Sequence, residues 1–118
     1  MTHPLLVRAW SSGAPVIEGA HAIFLWQGAW PPVLAGDFNR WDARRAPAWH
    51  QLEPELWACD LEFPPDAYIE YAFFANMESG ERLPDPLNVQ ASSNGMNSAN
   101  YFFYMPKNQP TPHTTSFS

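Results

Sequence analysis

The residues best suited to chemistry in this sequence are four histidines and one cysteine. The histidines are scattered, with no His-x-x-x-His pair and no neighbouring pair of cysteines: His3, His21, His50 and His113. Zinc sites are built from such closely spaced ligands. Cys59 occurs on the apolar side of an alternating run, where a free cysteine behaves as a small hydrophobic residue. The sequence therefore predicts no metal site, no cofactor and no cysteine nucleophile.

Two carboxylates have a spacing that acid–base catalysis could use. Asp60 and Glu62 are two positions apart and would share one face of a strand. A solvated strand face explains the same spacing better, and His50 fits an exposed loop better than a catalytic base. The sequence also contains no Gly-x-Ser-x-Gly elbow and no glycine-rich phosphate loop before a helix. We therefore predict that this chain is not an enzyme.

The segment most suggestive of binding covers residues 33–42. An apolar run leads into Gly36 and then into a turn rich in Asp and Asn, beyond which Trp41 is displayed. Three arginines crowd this turn: Arg40, Arg44 and Arg45. They form a cationic edge that could meet a carboxylate-bearing ligand or an acidic patch on a neighbouring domain. Solvated arginines paired with Asp42 or Glu53 are the simpler alternative.

Aromatic residues exceed what a small core can hold. The chain has six tryptophans, eight phenylalanines and four tyrosines, and each buries about 150–250 Å² when covered. The remainder is expected at the surface, where a large apolar patch usually marks an interface. We predict such an interface at Phe74, which alternation turns outward beside Ala72, and at Trp30, which precedes Pro31-Pro32. An uncovered patch would lead the isolated chain to form a homodimer.

Short apolar or alternating runs between Pro, Gly, Asn and Asp are typical of an all-β protein. The predicted strands are 5–10, 21–27, 32–38, 48–52, 56–63, 68–75, 81–83 and 99–105. The residues predicted for the core are Trp57, Cys59, Leu61, Tyr71 and Phe73. About seven or eight such strands in roughly 100 residues indicate an immunoglobulin-like β-sandwich.

Length and charge narrow the class of protein. A chain of 118 residues fits one domain, and we place it at residues 1–106. Residues 107–118 are polar and Pro-rich, which predicts a flexible tail or linker. A net charge of -6 argues against nucleic acid as a partner. The absence of a long apolar stretch or a signal-like start predicts a cytoplasmic protein without membrane contact.

The binding segment resembles a known group of domains. Gly-Asp-Phe-Asn-x-Trp at 36–41, Pro64-Pro65, Tyr68-x-x-Tyr71-x-Phe73 and Asp85-Pro86-x-Asn88 follow one another in the order of the early-set immunoglobulin-like domains. Similar domains include the family 48 carbohydrate-binding modules and the glycogen-binding domain of the AMP-activated protein kinase β subunit. The resemblance covers roughly residues 21–106.

The end of the domain resembles a second group. Residues 82–88, Arg-Leu-Pro-Asp-Pro-Leu-Asn, are followed by Asn94-Gly95-Met96 and by a strand that closes at Met105-Pro106. This is similar to the N-terminal domain of enterochelin-esterase-like putative esterases. In those proteins a similar sandwich precedes an α/β-hydrolase domain, which carries the Ser-His-Asp machinery. The resemblance implies that a hydrolase domain follows in the same polypeptide and that residue 107 begins the connector. We expect the aromatic surface at Phe74 and Trp30 to lie against that domain.

The first resemblance also implies residues for sugar binding. Trp41 would be the stacking platform and Asn100 the hydrogen-bonding amide, whereas the family's lysine falls at Ala72 and its second tryptophan near Arg82. With two of four groups replaced, any α-glucan binding is expected to be weak. Two functions remain: an accessory module that docks on a hydrolase domain and shapes substrate access, or an autonomous α-glucan-binding module.

Overall fold

The computed structural model describes residues 2–76, 78, 80–88, 91–92 and 100–106. This part of the chain contains one α-helix and nine strands. In chain order they are α1 (Pro4–Ser12), β1 (Val16–Glu18), β2 (His21–Gln27), β3 (Val33–Gly36), β4 (His50–Glu53), β5 (Leu56–Glu62), β6 (Tyr68–Asn76), β7 (Glu81–Leu83), β8 (Ala91–Ser92) and β9 (Asn100–Tyr104). The predicted tail from residue 107 and the Asn94-Gly95-Met96 motif lie outside the described residues.

The strands form two antiparallel sheets. One has the order β1-β2-β5-β4, and the other has the order β3-β6-β9-β8, with β7 paired to β6. β9 pairs with the first part of β6, from Tyr68 to Tyr71, and β7 pairs with its last part, from Phe73 to Asn76. The prediction of an all-β, sandwich-like fold is therefore confirmed.

The core lies between the two sheets because alternate side chains of the facing strands point inward. Phe24 from the first sheet packs edge-on against Tyr71 and Phe103 from the second, with ring centroids 4.9 and 5.7 Å apart. Cys59, Tyr71 and Phe73 are buried in this core as predicted. Leu61 and Trp57 are only half-buried: Leu61 packs at the edge of the core, and the Trp57 indole bonds a loop carbonyl.

Residues 5–10, predicted as a strand, instead belong to the helix α1. Pro4 occupies the start of the helix, the His3 ring accepts a hydrogen bond from the Leu5 amide at 3.1 Å, and Gly13 ends the helix with a φ of 88°. The helix buries Leu6 and Ala9, one turn apart. They cover an apolar cluster on the outer face of the first sheet, formed by residues such as Ile23, Leu25, Leu56 and Ala58. That packing partner decides between helix and strand, and it is not visible in the local sequence.

The remaining boundaries differ little from the prediction. β2 and β7 have the predicted limits, while the short strands β1 and β8 were not predicted. Residues 37 and 38, expected to continue β3, instead belong to a turn of 3₁₀ helix at Asp37–Asn39. In the described part of the chain, no helix is long and apolar enough to cross a membrane.

Candidate functional site

The outer face of the second sheet carries the sequence motifs singled out for binding. It begins where β3 ends at Gly36, a position that allows very close packing. A Cβ atom placed there would lie 2.6 Å from the Glu70 carbonyl oxygen and 2.6 Å from the Phe38 ring. Because both approaches are too short for any side chain, glycine is required for β3 to lie against β6.

Asn39 holds the turn that follows. Its side-chain oxygen accepts hydrogen bonds from the Gly36 amide at 3.0 Å and the Trp41 amide at 3.2 Å. Its nitrogen donates to the carbonyls of Leu34 and Arg45 at 3.2 and 3.4 Å. This buried amide is thus satisfied by backbone groups on both sides of the turn.

Trp41 is displayed by an unusual backbone. Arg40 and Trp41 have φ values of 57° and 60°, in the left-handed region that bulky residues avoid. This conformation turns the chain back, so the Trp41 side chain packs half-buried against Ala35 and Ala72 on the sheet. Its indole N–H donates to Asp37 at 3.3 Å. Trp41 therefore lies on the outer face of the sheet, and strained residues at such places often serve a binding role.

A line of hydrogen bonds crosses the same face. Arg82 donates to the Asn100 side-chain oxygen at 2.8 Å, and the Asn100 nitrogen donates to Glu70 at 2.9 Å. The other Glu70 oxygen accepts from the Tyr68 hydroxyl at 2.7 Å. These two donors to Glu70 hold the pKa of its carboxyl below the ordinary value. Desolvation and the bond to Glu70 raise the pKa of Tyr68 to about 12.

The structure therefore brings Trp41, Arg82 and Asn100 together on one sheet face. Sequence reasoning missed Glu70 and Tyr68 as members of this face. The period-2 alternation of β6, in which positions 68, 70, 72 and 74 share one side, is the signal that could have found them.

Phe74 corrects one expectation about exposure. It lies on the outer face as predicted, but only 7% of it is accessible to solvent. The Arg82 guanidinium lies over its ring, 5.1 Å from the centroid, and Phe74 shares its cluster with Ala35 and Ala72. Phe74 is thus the floor of the face and not an exposed patch.

A group of three aromatic rings, which we call the exit cluster, ends this face where β9 runs into Pro106. Tyr68 lies opposite Tyr104 in the strand register, and their ring centroids are 5.2 Å apart. Phe102 lies 5.7 Å from Tyr68 and 5.9 Å from Tyr104. Tyr68 is 39% exposed, so this cluster presents aromatic surface beside the end of β9.

The Asp-Pro-x-Asn motif is an internal support for this face. Asp85 and Asn88 are buried, and both bond the Tyr71 hydroxyl, at 2.5 and 3.0 Å. The Tyr101 hydroxyl accepts from the Asp85 amide at 2.9 Å, and Asn88 donates to the Phe102 carbonyl at 3.1 Å. Burial raises the pKa of Asp85. The motif therefore ties the segment after β7 to β6 and β9.

The predicted cationic edge consists of exposed arginines with a local partner. Arg44 bonds Asp42 at 3.3 Å, and Arg45 lies 3.9 Å from the same carboxylate. Hydrogen bonds from Arg44 lower the pKa of Asp42. Arg40 is exposed beside Trp41. Arg44 and Arg45 therefore match the simpler of the two alternatives, in which loop arginines pair with Asp42.

Trp30 lies in the loop between β2 and β3, at one end of the sandwich, and is 81% exposed. Of the two residues predicted for an exposed apolar patch, only Trp30 is therefore exposed, because Phe74 is covered.

The titratable residues considered for chemistry form no catalytic or metal arrangement in the described ranges. His21 Nδ1 lies 2.8 Å from Asp60, and this contact raises the pKa of the exposed histidine. Burial raises the pKa of the Cys59 thiol to about 12. No three His, Cys, Asp or Glu side chains among the described residues are placed to hold a metal ion.

Neither a protein-family model nor a curated protein sequence matches the chain.

Proposed function

We propose that this chain is a non-catalytic accessory module of an esterase-like α/β-hydrolase, and that it docks on the hydrolase domain through its exit cluster. The resemblance of residues 82–106 to the N-terminal domain of putative esterases supports this function. The observation that carries it is the position of the exit cluster, because Tyr68, Phe102 and Tyr104 lie beside the end of β9. A domain that follows residue 107 through a short connector would meet this surface first.

The strand order supports an immunoglobulin-like sandwich for the module. Constant-type immunoglobulin domains place strands A-B-E-D in one sheet and C-F-G in the other. Matching β1, β2, β3, β4, β5, β6 and β9 to A through G gives the same two orders. In this assignment β7 and β8 are additions between F and G.

The outer face has the character of a protein-binding surface. Both Asn100 side-chain atoms and both Glu70 oxygens are occupied by neighbours on the face. Polar groups that are already paired cost little to cover, and exposed tyrosine rings are favoured at protein interfaces. The exit cluster therefore suits a partner that covers it as a whole.

The test of docking uses the natural two-domain polypeptide. Tyr68→Ser with Tyr104→Ser should separate the unfolding of the two domains in calorimetry and raise KM for the ester substrate, because the contact between the domains is lost. Trp10→Ser, an exposed tryptophan on α1, is the matched control and should change neither. Unfolding and KM left unchanged by the tyrosine pair would contradict docking at this face. A sequence beyond Ser118 without a Gly-x-Ser-x-Gly elbow would contradict the hydrolase itself.

A second function, binding of α-glucan, is favoured by the convergence of Trp41, Arg82 and Asn100 on one face. A tryptophan ring stacks on glucose, and amide and guanidinium groups bond hydroxyls. With the indole N–H of Trp41 and both Asn100 side-chain atoms already bonded, we expect a dissociation constant of millimolar order, or about 4 kcal/mol.

Titration with maltoheptaose, followed by tryptophan fluorescence, measures this affinity. Trp41→Ala should abolish the signal, and Trp10→Ala should keep it. Micromolar binding that depends on Trp41 would make glucan recognition the leading function.

A further inference from the structure

The loop that carries Trp30 is held rigidly at both ends by other tryptophans. The Trp57 indole donates to the Gly28 carbonyl at 3.0 Å, and the Trp49 indole donates to the Pro32 carbonyl at 2.8 Å. The Gly28 amide also bonds the Glu55 carbonyl at 2.9 Å. A second restraint comes from Pro31 and Pro32, whose rings fix φ.

This loop presents the most exposed large apolar side chain among the described residues. Trp30 is 81% exposed, compared with 59% for Trp10 on α1. An anchor already fixed in place loses little conformational entropy on binding, and tryptophan is the residue most often found at binding hot spots. The loop thus has the properties of a preorganised contact.

The Trp30 loop and the exit cluster lie at opposite ends of the sandwich. Val33, just after the loop, pairs with Phe74 near the end of β6, while Tyr104 pairs with Tyr68 at its start. The nine residues of β6 span about 27–30 Å between these ends. A domain docked on the exit cluster therefore leaves the Trp30 end open.

The charged residues at the Trp30 end of the sandwich indicate which charge a partner should carry. Three carboxylates lie at this end of the sandwich: Glu53 ends β4, Glu55 follows it in the β4–β5 turn, and Glu78 lies in the β6–β7 turn. Glu55 and Glu78 are exposed. Two copies of this acidic end would repel each other, whereas a cationic partner would be attracted.

We propose that the Trp30 loop is a docking site for an arginine-rich protein segment, in which a guanidinium group stacks on the Trp30 indole and neighbouring cations face the carboxylates of the two turns. Arginine suits this site because its planar group stacks on tryptophan and is weakly hydrated. The site is separate from the exit cluster, so this inference does not depend on the proposed function.

The test measures binding of a fluorescein-labelled octa-arginine peptide to the full chain by anisotropy at low salt. Trp30→Ala should weaken binding about threefold to tenfold, and Trp30→Phe should weaken it less. Trp10→Ala, which removes an exposed tryptophan elsewhere, should leave binding unchanged. Glu55→Gln with Glu78→Gln should weaken binding and reduce its dependence on salt. An octa-lysine peptide should bind less tightly than octa-arginine.

Two results would overturn the proposal. Equal affinities for the Trp30→Ala and Trp10→Ala variants would show attraction to the acidic surface without stacking. Self-association of the chain in sedimentation, lost in Trp30→Ala, would identify a second copy as the partner.

Discussion

At the scale of single residues, the display of Trp41 depends on Asn39. Four backbone groups on both sides of the turn bond this one amide, so it fixes the left-handed conformation of Arg40 and Trp41 that follows. Two positions of the Gly-Asp-Phe-Asn-x-Trp pattern thus have a physical explanation: the glycine permits the close approach to β6, and the asparagine fixes the turn.

Asn39→Ala is expected to lower the free energy of unfolding by about 2–3 kcal/mol, because the Gly36 and Trp41 amides lose their acceptor. Urea denaturation measures the change. Arg44→Ala, which removes only an exposed ion pair from the same loop, should change the free energy of unfolding much less. Similar losses for the two variants would show that Asn39 does not hold the turn.

Cys59 should be inert in the folded chain. With its pKa raised to about 12 by burial, about one thiol in ten thousand is ionised at pH 8. We expect no reaction with Ellman's reagent over minutes in buffer and one thiol per chain in guanidinium. Rapid labelling of the native chain would contradict this prediction.

At the scale of elements, periodicity predicted most strands but could not place every one. β2 and β7 were predicted with their exact limits because alternation or flanking turns are clear there. α1 was mistaken for a strand because Leu5, Leu6, Val7 and Ala9 are compatible with either period, and the sheet beneath decides the outcome.

The candidate site was predicted only in part, since it joins residues distant in sequence. Trp41, Asn100 and Arg82 came from the family resemblance, and the structure places them on one face. The bond between Asn100 and Glu70 links strands 30 positions apart. Such contacts depend on strand register, which local patterns do not specify.

The line across β6 and β9 makes stability depend on pH. The pKa of Glu70 is lowered in the fold, so its contribution is complete above its unfolded value, near 4.5, and is lost as pH falls through the lowered folded pKa. Asp85 acts in the opposite sense: its raised pKa means that protonation favours the fold as pH falls.

Glu70→Gln should therefore reduce stability at pH 7 by less than about 1 kcal/mol, since the group is partly exposed. The deficit relative to the parent chain should shrink between pH 5 and pH 3. Urea denaturation at several pH values measures it, with Asp66→Asn, in an exposed turn, as the matched loss of charge. A loss of stability in Glu70→Gln that is unchanged at pH 3 would argue against a stabilising role for the ionised Glu70 in the line of hydrogen bonds.

At the scale of the whole molecule, the exit cluster and Trp30 lie at opposite ends of the sandwich. The exit cluster lies beside the end of β9, and Trp30 lies at the far end of β6. A module of this shape could hold one domain at one end and contact a second partner at the other.

The isolated chain should hydrolyse no ester. A catalytic serine needs a base and an oxyanion site, and the nucleophile elbow that supplies this arrangement in α/β-hydrolases is absent from the sequence. We expect the rate with p-nitrophenyl acetate or butyrate to equal that of a mock purification. Turnover above that rate, retained through further purification, would reverse the prediction.

The helix α1 covers apolar surface that the first sheet would otherwise expose. Without α1, a chain shortened to begin at Val16 would leave Ile23, Leu25, Leu56 and Ala58 as bare apolar sheet surface. Flat β-surface of this kind promotes aggregation. We therefore expect a chain shortened at its N-terminus to stay soluble only if it keeps Leu6 and Ala9. Neither residue belongs to a surface proposed to bind a partner.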